Sequence, residues 1–576
     1  MNTGDILAEL LIAHGVDVVF GMTGGQGYAL NDALHRRRGR ARHVMLRDER
    51  SSAYAADGWA RVAGRIGVCD AAFGVGALKL PSGIAEAYNS SIPVLAILSN
   101  APRDWMLYID RGCTAQGVEQ LRPFELMSKR VFHAPTQQAI PNAVRHLIRI
   151  ATSGRPGPVV LDIAADLFAQ QCPDTSLDLS GEPAAARSPS SRPHPDPEAV
   201  AAAATALASA QRPVIIAGGG VAISQAVAAL RNMAEAWQIP VGTTIAGKGV
   251  FAESDVLGLG VVGGQYGEEC ANTAVAEADL VFLVGMKSSQ QVTTAWTLPR
   301  RDQRVLHLDV DGAEIAKVFP TDVGIVADAR TGLDALAAAA PRPRPARAAW
   351  LARVAEAKRA WQAEVAGESV PAGPSIRPQY LMAELGKRLA PEDLVVSDAS
   401  FAIGWIASFL DVARAGQRFL FPRGLASMGF GLPAAIGARV AQSEGKCLMV
   451  AGDGSITYAI GELSTLAKYG LDVVVVVLNN GCLGYSKFSE VLRWSGDYES
   501  VDFPPTDFAL VARGFGCQGW SVTTPQDVPD AIERAWKVGG PVLLDVRVDE
   551  WQTPELQLRK RLPELRQKLG TARSAA

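Results

Sequence analysis

The chain has 576 residues, 48% of them hydrophobic and 20% charged, with 56 basic against 59 acidic side chains and a formal net charge of -3. That length exceeds one core and fits about three to four domains of ordinary size, with the composition of a soluble globular protein. The composition excludes a nucleic-acid footprint, because the basic run His35 to Arg40 is short, and a membrane span, because no run of about 18 apolar residues occurs.

A disulfide framework is excluded as well: the seven cysteines are scattered and form no CxxC pair. Neither nucleic acid nor membrane is expected as a partner. The first segment, MNTGDILAELLIAHGVDVVF, carries Asp5 and Glu9 before its apolar stretch and lacks a basic n-region. It reads as a helix and strand of the fold, and the cytoplasm is the expected location.

HVML reads as the next strand. It leads through Asp48-Glu49-Arg50 into SSAYAADGWARVAG, an Ala-rich and largely buried helix. On spacing alone Glu49 reads as a solvated first-turn acid favoured by the helix dipole. Buried beside a ligand ring, it would carry a raised pKa and exchange a proton. RIGVCDAAFG rises to the turn Phe73-Gly74-Val75-Gly76-Ala77, and SIPVLAILSN follows as a strand.

Two segments rich in Pro, Ser, Ala and Arg, at roughly 170–195 and 338–374, read as linkers. They divide the chain into 1–168, 195–338 and 375–550, with a charged tail at 551–576. In the second piece QRPVIIAGGG, DLVFLVG and RVLHLDVD are strands rising to glycine or acidic loops. Gly218-Gly219-Gly220 either meets a nucleotide or lets a helix pack closely, and it lacks the spacing of a dinucleotide fingerprint.

In the third piece the Gly-rich run from Gly424 to Pro433 enters an apolar helix, where Met428 reads as core filler. KCLMVAGDGS, LDVVVVVLNNG and GPVLLDVRVD are strands, and ITYAIGELSTLAKYG is a helix between the first two. Apolar strands alternating with helices imply an α/β fold of three doubly wound parallel sheets. GRPGPVVLDI ends the first piece and GGPVLLDV the third, which points to a duplicated domain.

The strongest local signal is Gly452-Asp453-Gly454-Ser455, followed 27 residues after Asp453 by Asn480. A βα crossover brings both to the carboxyl ends of parallel strands, where open α/β sheets bind ligands. An Asp carboxylate and an Asn carbonyl are hard oxygen ligands suited to Mg²⁺ or Ca²⁺. Gly452 and Gly454 allow close backbone approach, and N–H groups at the next helix start can face phosphate. GDG alone reads as a capped turn; the pair reads as a metal holding a diphosphate. None of the seven histidines has zinc spacing, and no GxSxG elbow or P-loop occurs.

With these motifs the chain resembles the thiamine-diphosphate (ThDP) dependent family of acetolactate synthase. The resemblance spans nearly the whole length. It rests on Gly24-Gly25, the segment from Arg47 to Gly64, Ile92-Pro93, GRPGPVVLDI, the GKG at 247–249, Ala271-Asn272, GLASMGFGLPAAIGA and the GDG…NN pair. It implies a pyrimidine-binding domain over 1–168, a central domain over 195–338 and a diphosphate-binding domain over 375–550. The implied active site is shared between the first domain of one subunit and the third of its partner, so a homodimer is the minimum unit and a homotetramer a further possibility.

The resemblance also implies roles. Asp453, Asn480 and the backbone carbonyl of Cys482 would bind Mg²⁺. Glu49 would hydrogen-bond the cofactor pyrimidine at N1′ and activate it. Met428 would prop the bent cofactor, the Ala426 carbonyl would face its 4′-amino group, and Gln116 would touch substrate. Gly24, Gly76, Gly452, Gly454, Ser455, Leu483 and Gly484 complete the implied cofactor-binding set. The implied activity is decarboxylation of a small 2-oxo acid with transfer of the acyl-anion equivalent. A C–C lyase or hydrolase acting on an α-hydroxyketone or cyclic 1,2-diketone is the alternative, and a catalytically silent homologue a third reading.

The family's pattern breaks beside this site. Asp48 and Arg50 replace His and Gln, Ala115 replaces Phe, and Thr23 replaces Pro. Gly74-Val75-Gly76-Ala77-Leu78-Lys79 stands for Gly-Pro-Gly with its following Thr-Asn. Asp48, Lys79 and Ala115 are therefore the candidate substrate-pocket residues, and a substrate other than that of the housekeeping synthase is expected. The central domain resembles the type that carries FAD, but Met286 to Gln291 replaces an Arg-Phe-Asp-Asp-Arg segment, which leaves FAD open.

Overall fold

The computed structural model describes residues 1–173, 177–341, 347–494, 499–562 and 564. It contains three six-stranded sheets, and every strand pairing for which a register is described is parallel. The first comprises β1 (Val18–Gly21), β2 (Arg42–Met45), β3 (Gly67–Ala71), β4 (Val94–Asn100), β5 (Arg130–His133) and β6 (Val159–Ala164), in the order β2-β1-β3-β4-β6-β5. The second comprises β7 (Pro213–Ala217), β8 (Val241–Thr243), β9 (Gly258–Val261), β10 (Leu280–Val284), β11 (Arg304–Asp309) and β12 (Val323–Val326), in the order β12-β11-β10-β7-β8-β9. The third comprises β13 (Leu394–Ser397), β14 (Arg418–Leu420), β15 (Cys447–Gly452), β16 (Val473–Asn479), β17 (Gln518–Val522) and β18 (Val542–Arg547), in the order β14-β13-β15-β16-β18-β17. Alternating βα connections explain why inner strands such as β4, β10 and β16 are buried along their whole length, since helices cover both faces, while β2, β5, β12, β14 and β17 are partly exposed.

The first and third sheets share one strand order. The sequence echo falls on the equivalent strands β6 and β18, and it continues into side chains. At the end of β4, Asn100 Nδ2 donates to the buried Asp162 of β6 at 2.9 Å; at the end of β16, Asn479 Nδ2 donates to the buried Asp545 of β18 at 2.8 Å. Leu95 pairs with Val159 and Val474 with Val542, so the registers coincide too.

The chain forms two compact units. One comprises Met1–Ser191, Pro422–Ser443 and Tyr458–Val473; the other comprises Arg192–Phe421, Glu444–Thr457 and the described residues from Val474 onward. In the first unit the helix Glu49–Ala63 packs on the helix Gly431–Ala441 at backbone distance. A Cβ on Gly58 would lie 2.3 Å from the Ala434 carbonyl oxygen, and one on Gly437 would lie 1.8 Å from that of Ala55. Only glycine permits the crossing.

That helix also buries a charge. Asp57 is 0% exposed and accepts from Arg61 Nε at 2.6 Å. Burial pushes its carboxyl up to about 6, against the pull of Arg61. A carboxyl raised on folding binds its proton more tightly in the native state, so ionisation penalises folding. The penalty is absent below about pH 4 and complete above about pH 6. Between those limits the unfolding free energy should fall by ~3 kcal/mol more in the native sequence than in Asp57→Asn. Parallel denaturant titrations of the two proteins measure the difference, and equal slopes contradict it.

Three expectations need correction. ITYAIGELSTLAKYG is not one helix: a short turn Asp453–Ile456 precedes a 3-10 turn Ile460–Glu462 and a helix Leu463–Tyr469. Ala459, at φ -136°, leaves helical geometry, and the Glu462 carboxylate is used to accept from Arg47 N and Thr465 Oγ1. The segment at 338–374 is not a bare linker, since it holds the helix Ala348–Glu368, which buries Trp350, Val354 and Trp361. The segment at 170–195 is partly core, since Ala185 and Ala186 are buried and Ile66 N donates to the Ala186 carbonyl at 2.8 Å. Residues 174–176 and 342–346 of these segments, and 565–576 of the tail, lie outside the described residues.

Gly218 and Gly220 serve close packing: a Cβ on either would lie 2.3 or 2.8 Å from backbone atoms of Gly285 at the end of β10. Among the described residues no helix is long and apolar enough to cross a membrane.

Candidate active site

Two groups of candidate residues stand out, one in each unit. In the first, Asp48 caps the helix Glu49–Ala63, accepting from Arg50 N at 2.9 Å. Glu49 is the first helical residue and is only 7% exposed. The solvated first-turn acid expected from spacing alone is therefore replaced by a buried one. The turn at Gly76 makes room for it, since a Cβ there would stand 2.9 Å from Glu49 Oε1. Glu49 Oε2 is buried and has no hydrogen-bond partner among the described residues. Lys79 Nζ lies 3.2 Å away as an ion pair without hydrogen-bond geometry, and 3.3 Å from Asp48 Oδ2. A buried carboxylate whose Oε2 has only this part-exposed ammonium beside it among the described residues fits a ligand that supplies a further donor.

The two unexpected charges, Asp48 and Lys79, are thus partners. Burial opposes the Lys79 charge, but its two carboxylates outweigh that and raise its pKa. The neighbouring turn is tightly built. Gly74 has φ +69°, its N–H donates to Gln120 Oε1 at 2.9 Å, and a Cβ on it would lie 2.2 Å from the Gln116 carbonyl oxygen. Gln116 is exposed with φ +62°, a conformation that costs a non-glycine residue energy and recurs at functional sites. Ala115 beside it is also exposed. Gly24 joins the same turn, because a Cβ on it would lie 2.3 Å from that of Ala72.

Sequence reasoning missed Gln120. It is buried, and its Nε2 donates to the Ser99 carbonyl and to Asp162 Oδ1, both at 2.9 Å. Only its place four residues after Gln116 could have marked it. Also in the first unit, Met428 is half-buried and Ala426 is exposed with φ +54°, so Met428 is not the core filler that its sequence surroundings suggest.

In the second unit, β15 delivers Asp453 and β16 delivers Asn480 at the same sheet end. Asp453 is 4% exposed; its Oδ1 accepts from Gly454 N at 2.7 Å and its Oδ2 from Gly481 N at 2.6 Å. The carboxylate therefore ties the two strand ends together. Burial raises its pKa to about 6 against these donors, so a bound cation would favour the ionised form. Asn480 Oδ1 accepts from Cys482 N at 3.2 Å, and Gly481 turns the chain at φ +71°. A Cβ on Gly454 would meet Leu483 and Phe503 at 2.9 Å, and one on Gly484 would meet Asn480 Nδ2 at 3.0 Å. Ser455 Oγ donates to the Gly452 carbonyl at 3.1 Å within its own turn.

The Asp453 carboxylate and the Asn480 amide oxygen are hard oxygen donors whose chemistry fits Mg²⁺, and the Cys482 backbone carbonyl would extend the set. The Cys482 thiol is no competitor, since burial pushes its pKa up to about 12. Its sulfur lies in a cluster with Asp502 and Glu550 that has metal-ligand spacing. Lys487 already fills that cluster: its side chain is 3% exposed and Nζ reaches Asp502 at 2.9 Å and Glu550 at 2.8 Å.

The family model for the thiamine pyrophosphate enzyme N-terminal TPP binding domain matches residues 1–121, the central domain 200–336 and the C-terminal TPP binding domain 398–546. The chain is 33% identical to a probable acetolactate synthase large subunit of Methanocaldococcus jannaschii, over 95% of this chain and 92% of that one. It is 34% identical to an acetolactate synthase large subunit of Parasynechococcus marenigrum, over 94% and 86%. It is 32% identical to the acetolactate synthase isozyme 2 large subunit of Escherichia coli, over 96% of each.

Proposed function

Because this chain belongs to the thiamine pyrophosphate enzyme family, among the acetolactate synthase-like members, we propose that it decarboxylates a small 2-oxo acid and transfers the acyl-anion equivalent to an acceptor carbonyl. The observation that carries this reading is Glu49, a buried carboxylate at a helix start against the Gly76 turn, whose Oε2 meets the part-exposed Lys79 ammonium at 3.2 Å. When bound, ThDP supplies a nucleophilic carbon and an electron sink for the bond that breaks.

The chain's own residues do the rest. Asp453, Asn480 and the Cys482 carbonyl hold Mg²⁺, which offsets the diphosphate charge. Gly452, Gly454, Ser455, Leu483 and Gly484 line the approach to it. Glu49 holds a proton against the pyrimidine N1′, with Gly24 and Gly76 leaving it space. Met428 and the Ala426 carbonyl fix the pyrimidine end. Gln116 faces substrate, with Asp48, Lys79 and Ala115 around it. The domains run over 1–168, 195–338 and 375–550. A homodimer is the minimum active unit, with Glu49 from one copy and the metal from the other, and pairs of dimers are compatible with it. The cytoplasm is the expected setting. No step needs a flavin, and Met286 to Gln291 carries Lys287 as its one cation where the FAD-type segment has two arginines.

One observation favours a second reading. Lys79 is already paired with Asp48 and Glu49, so its charge is not free to anchor a substrate carboxylate. A neutral α-hydroxyketone or cyclic 1,2-diketone, cleaved by a C–C lyase or hydrolase, suits such a pocket. Incubation of the purified protein, Mg²⁺ and ThDP with pyruvate, benzoylformate, longer 2-oxo acids, acyloins and cyclohexane-1,2-dione separates the two. CO₂ release with an acyloin-type product is expected. Cleavage of the diketone without CO₂ would establish the second reading and overturn the first.

A further inference from the structure

The turn that carries Ala426 and Met428 is held by an acid on the helix Pro81–Ser90. Glu86 is 0% exposed. Its Oε1 accepts from Gly424 N at 2.7 Å and from Ser90 Oγ at 2.8 Å, and its Oε2 accepts from Leu425 N at 2.7 Å. Arg61 Nη2 stands 3.8 Å from Oε1. The backbones also touch, since a Cβ on Gly424 would lie 2.3 Å from the Glu86 carbonyl oxygen. One residue further on, Ala426 sits at φ +54°, in the left-handed region that favours glycine. A strained residue of this kind persists only where its surroundings over-determine it. Here the determining contacts are two consecutive backbone N–H groups bound to one buried carboxylate.

We infer that Glu86 is a positioning residue for the cofactor: it holds the strained turn so that the Ala426 carbonyl and Met428 meet the pyrimidine end. This rests on the ThDP reading above. The carboxylate itself is required. Both oxygens accept, whereas a glutamine offers one acceptor oxygen and would turn its NH₂ toward a backbone N–H.

The test is a double-mutant cycle on Glu86→Gln and Ala426→Gly, read by calorimetric titration of each protein with ThDP in saturating Mg²⁺. Glu86→Gln should weaken binding by about tenfold, the effect of one buried N–H left without an acceptor. Glycine carries no penalty at this φ, so Ala426→Gly in the Glu86→Gln background should recover most of the loss. A merely structural glutamate would give additive effects. Wild-type affinity in Glu86→Gln, or a loss that Ala426→Gly leaves unchanged, overturns the inference. Absence of ThDP binding by the wild type would instead overturn the underlying reading and this inference with it. Should Glu86→Gln fail to fold, amide exchange in the wild type decides: protected Gly424 and Leu425 N–H groups support the role, and free exchange refutes it.

Discussion

Asp453→Ala is expected to abolish Mg²⁺-dependent ThDP binding, with affinity falling about 100-fold or more. The substitution removes more than a ligand. Oδ1 and Oδ2 hold the N–H groups of Gly454 and Gly481, so the two strand ends that carry the metal donors lose their common tie. Asn480 then presents its oxygen from a loop that has lost the hydrogen bond from Gly481 N to the Asp453 carboxylate. Titration calorimetry with and without Mg²⁺ measures this. Retained Mg²⁺-dependent affinity would show that the metal is held elsewhere.

Glu49→Gln should do the reverse: bind Mg²⁺ and ThDP nearly as the wild type does, yet lose catalysis. The amide keeps the volume that Gly76 accommodates and can still hydrogen-bond a ring nitrogen. It cannot take up and return a proton. Exchange of the cofactor's C2 proton should slow by about 100- to 10,000-fold, the usual range for removing a general acid–base. Lys79 sharpens the test, because its ion pair with Glu49 disappears in the variant while that with Asp48 remains. Exchange at the wild-type rate would remove Glu49 from the proposed role.

Much of this was legible in the sequence, for identifiable reasons. Val473 to Leu478 could be read as a buried parallel strand because it is apolar on both faces, and Asp453 and Asn480 stand out because polar residues end such strands. The duplication showed as a short echo, and the structure extends it to the Asn100–Asp162 and Asn479–Asp545 pairs, whose members lie 62 and 66 residues apart. No local pattern links residues at such separations.

The burial of Glu49 was illegible for the same reason. Spacing places an acid at a helix start, where water is its ordinary surrounding; the turn at Gly74 to Gly76 removes the water. Gln120 and Glu86 escaped because most of their partners lie in other segments of the chain. The helix Ala348–Glu368 was masked by the proline- and arginine-rich stretch before it, which dominates composition over a window while Trp350, Val354 and Trp361 mark one apolar face. The departures at Asp48 and Lys79 were visible singly, but only the structure pairs them, and the pair changes their meaning from two added charges to a neutralised couple beside Glu49.

The central proposal is a ThDP cofactor activated by Glu49. Exchange of the ThDP C2 proton for deuterium, quenched at intervals and followed by proton NMR in the wild-type protein with Mg²⁺, addresses it without knowledge of the substrate. Exchange accelerated over free ThDP by about 100-fold or more is predicted, and exchange at the free-cofactor rate with ThDP demonstrably bound would contradict it.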